Sequence, residues 1–189
     1  MLTYADDTMD RIGSKVTFNQ AGLGLLRDAW IAAKFGEIRQ AEQVRLVADV
    51  WPDFELRRNE RIESYEAVEA DDPERRRGDE YRQLADPLVV EYDPVEDWAA
   101  RAEQAPIWLD TACRKKAGKR YAARANLVIY LNLSENGIRQ KEIEDCFASA
   151  TSAAKEGFDS VWVLWKDRAY LVWKGGEERQ IDTLTDTDR

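Results

Sequence analysis

The chain has 189 residues, with 28 Lys+Arg against 37 Asp+Glu, a net charge of −9, 44% hydrophobic residues, seven Trp, two Cys and no His. That length can build one hydrophobic core without metals or disulfides, and the tryptophan content argues against disorder. Without an imidazole, Ser-His-Asp hydrolases, Cys-His proteases, His-metal nucleases and HExxH metalloproteases are excluded, and two cysteines cannot form a four-thiolate zinc site.

In chain order, residues 1–18 read as an irregular N-terminal segment, 19–174 as a single globular domain, and 175–189 as a polar C-terminal tail. A helix is predicted from Asn19 to about Lys34, because Leu23, Leu26, Trp30 and Ala33 recur at helical spacing, with Gly36 as its end. Residues 44–48 read as a short strand. After Pro52, residues 54–57 and 62–70 read as two strands of a hairpin around the turn Asn59-Glu60. Asp72-Pro73-Glu74 is a helix start, with a capping Asp and Pro at the first helical position, and that helix ends before Pro87. Asp93-Pro94 repeats the signal and opens helical sequence to about Gly118, interrupted at Pro106. The apolar run 127–133 is a central strand, bulky on both faces. A helix over 138–156 is closed by Gly157, and 161–165 with 169–173 form a final hairpin. The order α-β-β-β-α-(α)-β-α-β-β indicates an α+β fold with a mixed sheet. The Trp162, Trp165, Tyr170 and Trp173 hairpin reads as sheet core.

The chemistry-bearing stretch is 52–81. Asp53 and Glu55 lie on or beside the second strand, and Glu66 and Glu69 on the third. By strand alternation, Ala67, Glu69 and Asp71 share one face and Glu66, Val68 and Ala70 the other. Carboxylates converging from paired strands repel unless a cation neutralises them, which is the logic of a divalent metal site with hard oxygen ligands. Such an ion activates water and stabilises phosphoryl transfer. Against this stands the ordinary reading of hairpin charges as a solvated face, which fits Glu60, Glu63 and Asp72.

Pro52-Asp53 at a strand start, followed by a hairpin and a second acid, resembles the PD-(D/E)XK nuclease superfamily. The element order over roughly 20–133 is similar to that family's αβββαβ restriction-endonuclease-like core. The resemblance implies Asp53 and Glu69 as Mg²⁺ ligands, Glu66 as the rival register and a further catalytic acid, and Glu55 as an assisting ligand. The family's lysine, two residues after the acid, is replaced by Asp71 in the Glu69 register and by Val68 in the Glu66 register. Some members use another acid there, or a lysine that has migrated, and Arg75, Arg76 or Arg77 could supply the charge, although guanidinium is a poor base. The Arg77-Gly-Asp-Glu-Tyr81 segment stands where some relatives have Gln-x-x-x-Tyr, which implies Arg77 and Tyr81 as nucleic-acid contacts; Tyr81 also reads as a half-buried core residue.

A local basic run, Arg114, Lys115, Lys116, Lys119 and Arg120, reverses the acidic balance. It suits phosphate neutralisation beside an acidic site, and equally a solvated helix C-terminus where cations complement the dipole. Cys113 and Cys146 read as reduced, buried thiols. The acidic start lacks the apolar stretch of an export signal, and no apolar run reaches the length of a membrane span, so a cytoplasmic protein with no membrane partner is expected. The functional expectation is metal-dependent phosphodiester hydrolysis of nucleic acid. The alternative is a non-catalytic protein of the same fold that binds a protein partner, as an inhibitor or immunity-type binder does.

Overall fold

The computed structural model describes residues 24–48, 51–72, 95–119, 121, 123–133, 137, 139–175 and 182–185. Among the described residues, three α-helices and seven strands follow in the order α1 (Gly24–Ile38), β1 (Gln43–Leu46), β2 (Phe54–Arg58), β3 (Arg61–Ala70), α2 (Val95–Ala117), β4 (Asn126–Leu131), α3 (Gln140–Ala150), β5 (Ser160–Trp165), β6 (Arg168–Lys174) and β7 (Asp182–Thr185). They make one mixed α+β sheet in which spatial order equals chain order. β1, β2 and β3 form an antiparallel meander, β3, β4 and β5 run parallel, and β6 and β7 return antiparallel. The two parallel pairings require crossovers, which α2 and α3 supply.

Each face of the sheet carries its own core. On one side Ile31, Ala32, Phe35 and Ile38 of α1 pack on Phe54, Leu56, Tyr65, Ala67 and Trp162. On the other, α2 and α3 cover Val68, Ala70, Leu127, Ile129 and Trp165. With helices on both faces, β5 is buried at all six positions and β4 at four of six, which explains their unbroken apolar sequence. Residues 127–131 of the expected 127–133 run lie in β4, an interior strand flanked by β3 and β5, and the Trp-rich hairpin is sheet core.

Several boundaries differ from expectation. α1 runs through Gly36 to Ile38. Gly36 serves close packing rather than termination, since a Cβ there would meet Val44 Cγ2 at 2.5 Å. α2 continues through Pro106 without a break. α3 ends at Ala150, where the Thr151 hydroxyl and amide both donate to the Phe147 carbonyl, and a 3₁₀ turn (Ser152–Ala154) follows. Within the expected polar tail, Asp182–Thr185 adds to β6 as a further strand. The 1–18 segment and the helix expected after Asp72 lie outside the described residues. Among the described residues no helix is long and apolar enough to cross a membrane.

The β2–β3 turn is the expected Asn59-Glu60, both at positive φ (46° and 64°) between the paired Arg58 and Arg61. This two-residue geometry matches strand twist and fixes the register. It pairs Phe54 with Tyr65, so the residue before β2, Asp53, falls opposite Glu66.

Candidate active site

The site is built where β2 stops and β3 continues. The Asp53 amide donates to the Tyr65 carbonyl at 3.0 Å, and Asp53 Oδ2 accepts the Ala67 amide at 2.8 Å. A side-chain carboxylate thus takes the place of the carbonyl that a longer β2 would have offered. Lys116, near the end of α2, donates from Nζ to Asp53 Oδ2 at 2.9 Å and to Glu66 Oε2 at 2.6 Å. The Tyr121 hydroxyl donates to Glu66 Oε2 at 3.1 Å. One ammonium therefore joins an acid from the β2 entry, an acid from mid-β3 and the crossover helix.

This constellation is strongly desolvated. Glu66 is 2% and Lys116 7% exposed, whereas the Asp53 side chain keeps 25% of its surface. Burial pushes the Glu66 carboxyl above the usual range, the Asp53 charge adds to that, and Lys116 and Tyr121 oppose it. The same surroundings, burial first and then the Glu66 carboxylate, push the Tyr121 phenol up. Glu66 Oε1 is buried and has no hydrogen-bond partner among the described residues. An orphaned buried carboxylate oxygen is costly and is the feature of this site least explained by structure alone. Asp28 of α1 approaches from the side. Burial raises its pKa, Arg27 lowers it, and it also feels the charges of Asp53 and Lys116.

Hard oxygen donors of this kind fit a magnesium-type ion, which is held by one or two carboxylates and completes its shell with water and phosphate oxygens. Asp53 and Glu66 supply the carboxylates, and Glu66 Oε1 is an acceptor still to be satisfied. Among the described residues no group of three or more Asp, Glu or Cys gathers into a fuller cage.

The expected pairing of Asp53 with Glu69 is corrected. Glu69 stands with Tyr65 and Ala67 on the α1 side, where it accepts Arg27 at 3.5 Å and the Asn132 amide at 2.5 Å. Asp53 joins Glu66 on the α2 side. Three residues of strand separate Glu66 from Glu69, about 10 Å at ~3.3 Å per residue, and the odd offset sends them to opposite faces. Glu55 is likewise held elsewhere, by Arg45 of β1 through bonds of 2.9 and 2.5 Å. The basic run divides. Lys116 is buried in the site, Arg114 pairs with Asp110 at 2.6 Å, and Lys115 and Lys119 are exposed. Arg77, Tyr81 and Arg120 lie outside the described residues.

Sequence reasoning grouped Lys116 with its solvated neighbours and did not single out Asp28, Tyr121 or Asn132. A signal for Lys116 existed. Ala105, Leu109 and Ala112 form the buried stripe of α2, and Lys116 is the next position on it. A lysine on a core-facing stripe needs a buried acid as partner. Both cysteines behave as inert thiols, since burial pushes Cys113 up to about 12 and Cys146 up to about 11. Compared with protein-family models, curated proteins and solved structures, the chain matches none.

Proposed function

We propose that the protein is a metal-dependent phosphodiesterase of restriction-endonuclease-like fold that acts on nucleic acid, with Asp53 and Glu66 as the metal ligands. The observation that carries this reading is the Lys116 ammonium lying within hydrogen-bond reach of both carboxylates. A PD-(D/E)XK site needs two acids and a lysine. Here Glu66-Ala67-Val68 holds the acid but not the lysine, and Lys116 brings the missing charge from the crossover helix to the same point. The order α1-β1-β2-β3-α2-β4, with β3 and β4 parallel, supports the same resemblance.

Mg²⁺ bound there would supply Lewis-acid polarisation of a phosphoryl oxygen and an acidified water. The chain's own groups do the rest. Lys116 offsets negative charge at the reacting phosphate, a role that needs position more than basicity. Tyr121 orients Glu66 through its hydroxyl, and the buried setting strengthens each of these interactions. Lys115, exposed beside the site, meets the flanking phosphates.

The test is a thermal melt with Mg²⁺, Mn²⁺ or chelator, run beside cleavage of plasmid and single-stranded RNA. A ligand selective for the folded state raises the melting midpoint. The expected result is a metal-dependent rise that Asp53→Asn abolishes, and chelator-sensitive cleavage that Lys116→Gln abolishes. A second reading is favoured by the depth of the cluster. Lys116 already neutralises much of the carboxylate charge, as a buried structural ion pair does, and the protein then acts through protein contacts. No metal-dependent shift and no cleavage of either polymer would decide for that reading.

A further inference from the structure

Beside the carboxylate–lysine cluster lies a cavity of about 620 Å³ whose walls come from α1, the end of β3 and the outer face of α2. It is linked to the cluster through Arg27, a lining residue that donates to Asp28 at 3.1 Å, and Asp28 in turn feels the charges of Asp53 and Lys116. Its volume is in the range of small-ligand sites. Its lining is mixed in a particular way. Ile107, 58% exposed, gives an aliphatic surface, and Trp108 contributes to the wall while only 5% exposed. Arg27, Lys115 and Gln104 bring donors, while Glu69, Asp71 and Asp72 bring acceptors.

That composition discriminates between parts of a nucleotide. A phosphate group needs donors and is repelled by three carboxylates. A nucleobase has a flat π face for apolar contact, amino groups that carboxylates accept, and ring acceptors that Arg or Gln can meet. A base can enter a cavity of this kind only when it is not paired within a duplex. We propose that the cavity receives one unpaired nucleobase next to the phosphate that Lys116, and a cation on Asp53 and Glu66, would hold, so that the substrate class is single-stranded or locally unpaired nucleic acid. This rests on the nucleic-acid reading above and narrows it.

The test uses the full chain in chelator, so that nothing is cleaved, with a dye-labelled twelve-nucleotide single strand and the same sequence as a blunt duplex. Fluorescence anisotropy should give single-strand binding about tenfold tighter than duplex binding, the scale of one base stacked on a protein side chain. Thr111 lines the cavity and is exposed on α2, so Thr111→Glu projects bulk and charge into it without touching the core. It should weaken single-strand binding about tenfold. Lys119→Gln makes the same charge change on the exposed end of the helix, away from the cavity lining, and should weaken it less than threefold. Ile107→Ala, at another exposed lining position, should also weaken single-strand binding. Equal binding of single strand and duplex, equal effects of Thr111→Glu and Lys119→Gln, or no binding of either polymer would overturn the proposal. The metal-induced rise in melting midpoint is read separately on wild type and Thr111→Glu. If it persists while the base-dependent effects are absent, the cavity assignment fails and the metal site stands.

Discussion

Two charged clusters sit on one strand, three residues apart, and differ in almost every physical respect. Around Glu66, on the α2 side, an ammonium and two carboxylates are packed beneath a helix, with Glu66 and Lys116 nearly inaccessible. Around Glu69, on the α1 side, Arg27 makes a long contact of 3.5 Å and its side chain is 42% exposed. Water screens Arg27 in the second cluster and is excluded from Glu66 and Lys116 in the first. The lesson is that sign and spacing of charges along a strand do not determine their worth; the covering element does. A buried pair is tightly coupled, and loss of one member leaves the other stranded. An exposed pair contributes little, whatever its geometry.

That contrast can be broken most directly at Lys116. Lys116→Met keeps the side chain out to its ε position and removes the ammonium, leaving buried Glu66 to face the Asp53 charge without a counter-ion. The expected loss is about 3–5 kcal/mol, read from urea-unfolding midpoints. Adding Glu66→Gln to that variant should recover most of the loss, because the stranded charge is gone. If Lys116→Met costs no more than a surface substitution, the cluster is wetter than its burial indicates. Tyr121→Phe should cost about 1–2 kcal/mol, the worth of one hydrogen bond to a charged acceptor, measured the same way. The smallest effect belongs to the other cluster. Arg27→Ala should change stability by less than about 1 kcal/mol, and high salt should erase what remains. A larger effect at Arg27 than at Lys116 would invert the comparison.

Much of the sheet was legible because burial on both faces writes long apolar runs. The strands β4 and β5, and the Asn59-Glu60 turn that sets their neighbours' register, followed from local pattern and turn chemistry. The acids were legible as a group, but their pairing was not. Glu69 lies between apolar Val68 and Ala70, the setting the resemblance leads one to expect for the second acid, whereas the structure aligns Asp53 with Glu66 through the one-residue extension of the Phe54–Tyr65 pair. Register is a relation between two strands, and a shift of one residue changes the face. Lys116 was hidden for a similar reason. In sequence it belongs to a basic run, and only the helical phase of α2 separates it from Lys115. Gly36 and β7 were misread because the partner that gives each its role, Val44 in one case and β6 in the other, is remote in the chain.

The hydrogen bond from the Ala67 amide to Asp53 Oδ2 has a practical consequence. It ties a backbone proton to one oxygen of the carboxylate on which the proposed chemistry depends. In a ¹H–¹⁵N spectrum that amide is a resident observer of the site. Anything that draws electron density from Asp53, whether an added cation, a proton or an approaching phosphodiester, must alter the field at this proton. Its resonance therefore offers a titration coordinate that needs no turnover and no knowledge of the substrate, and Asp53→Asn should shift it even before a ligand is added.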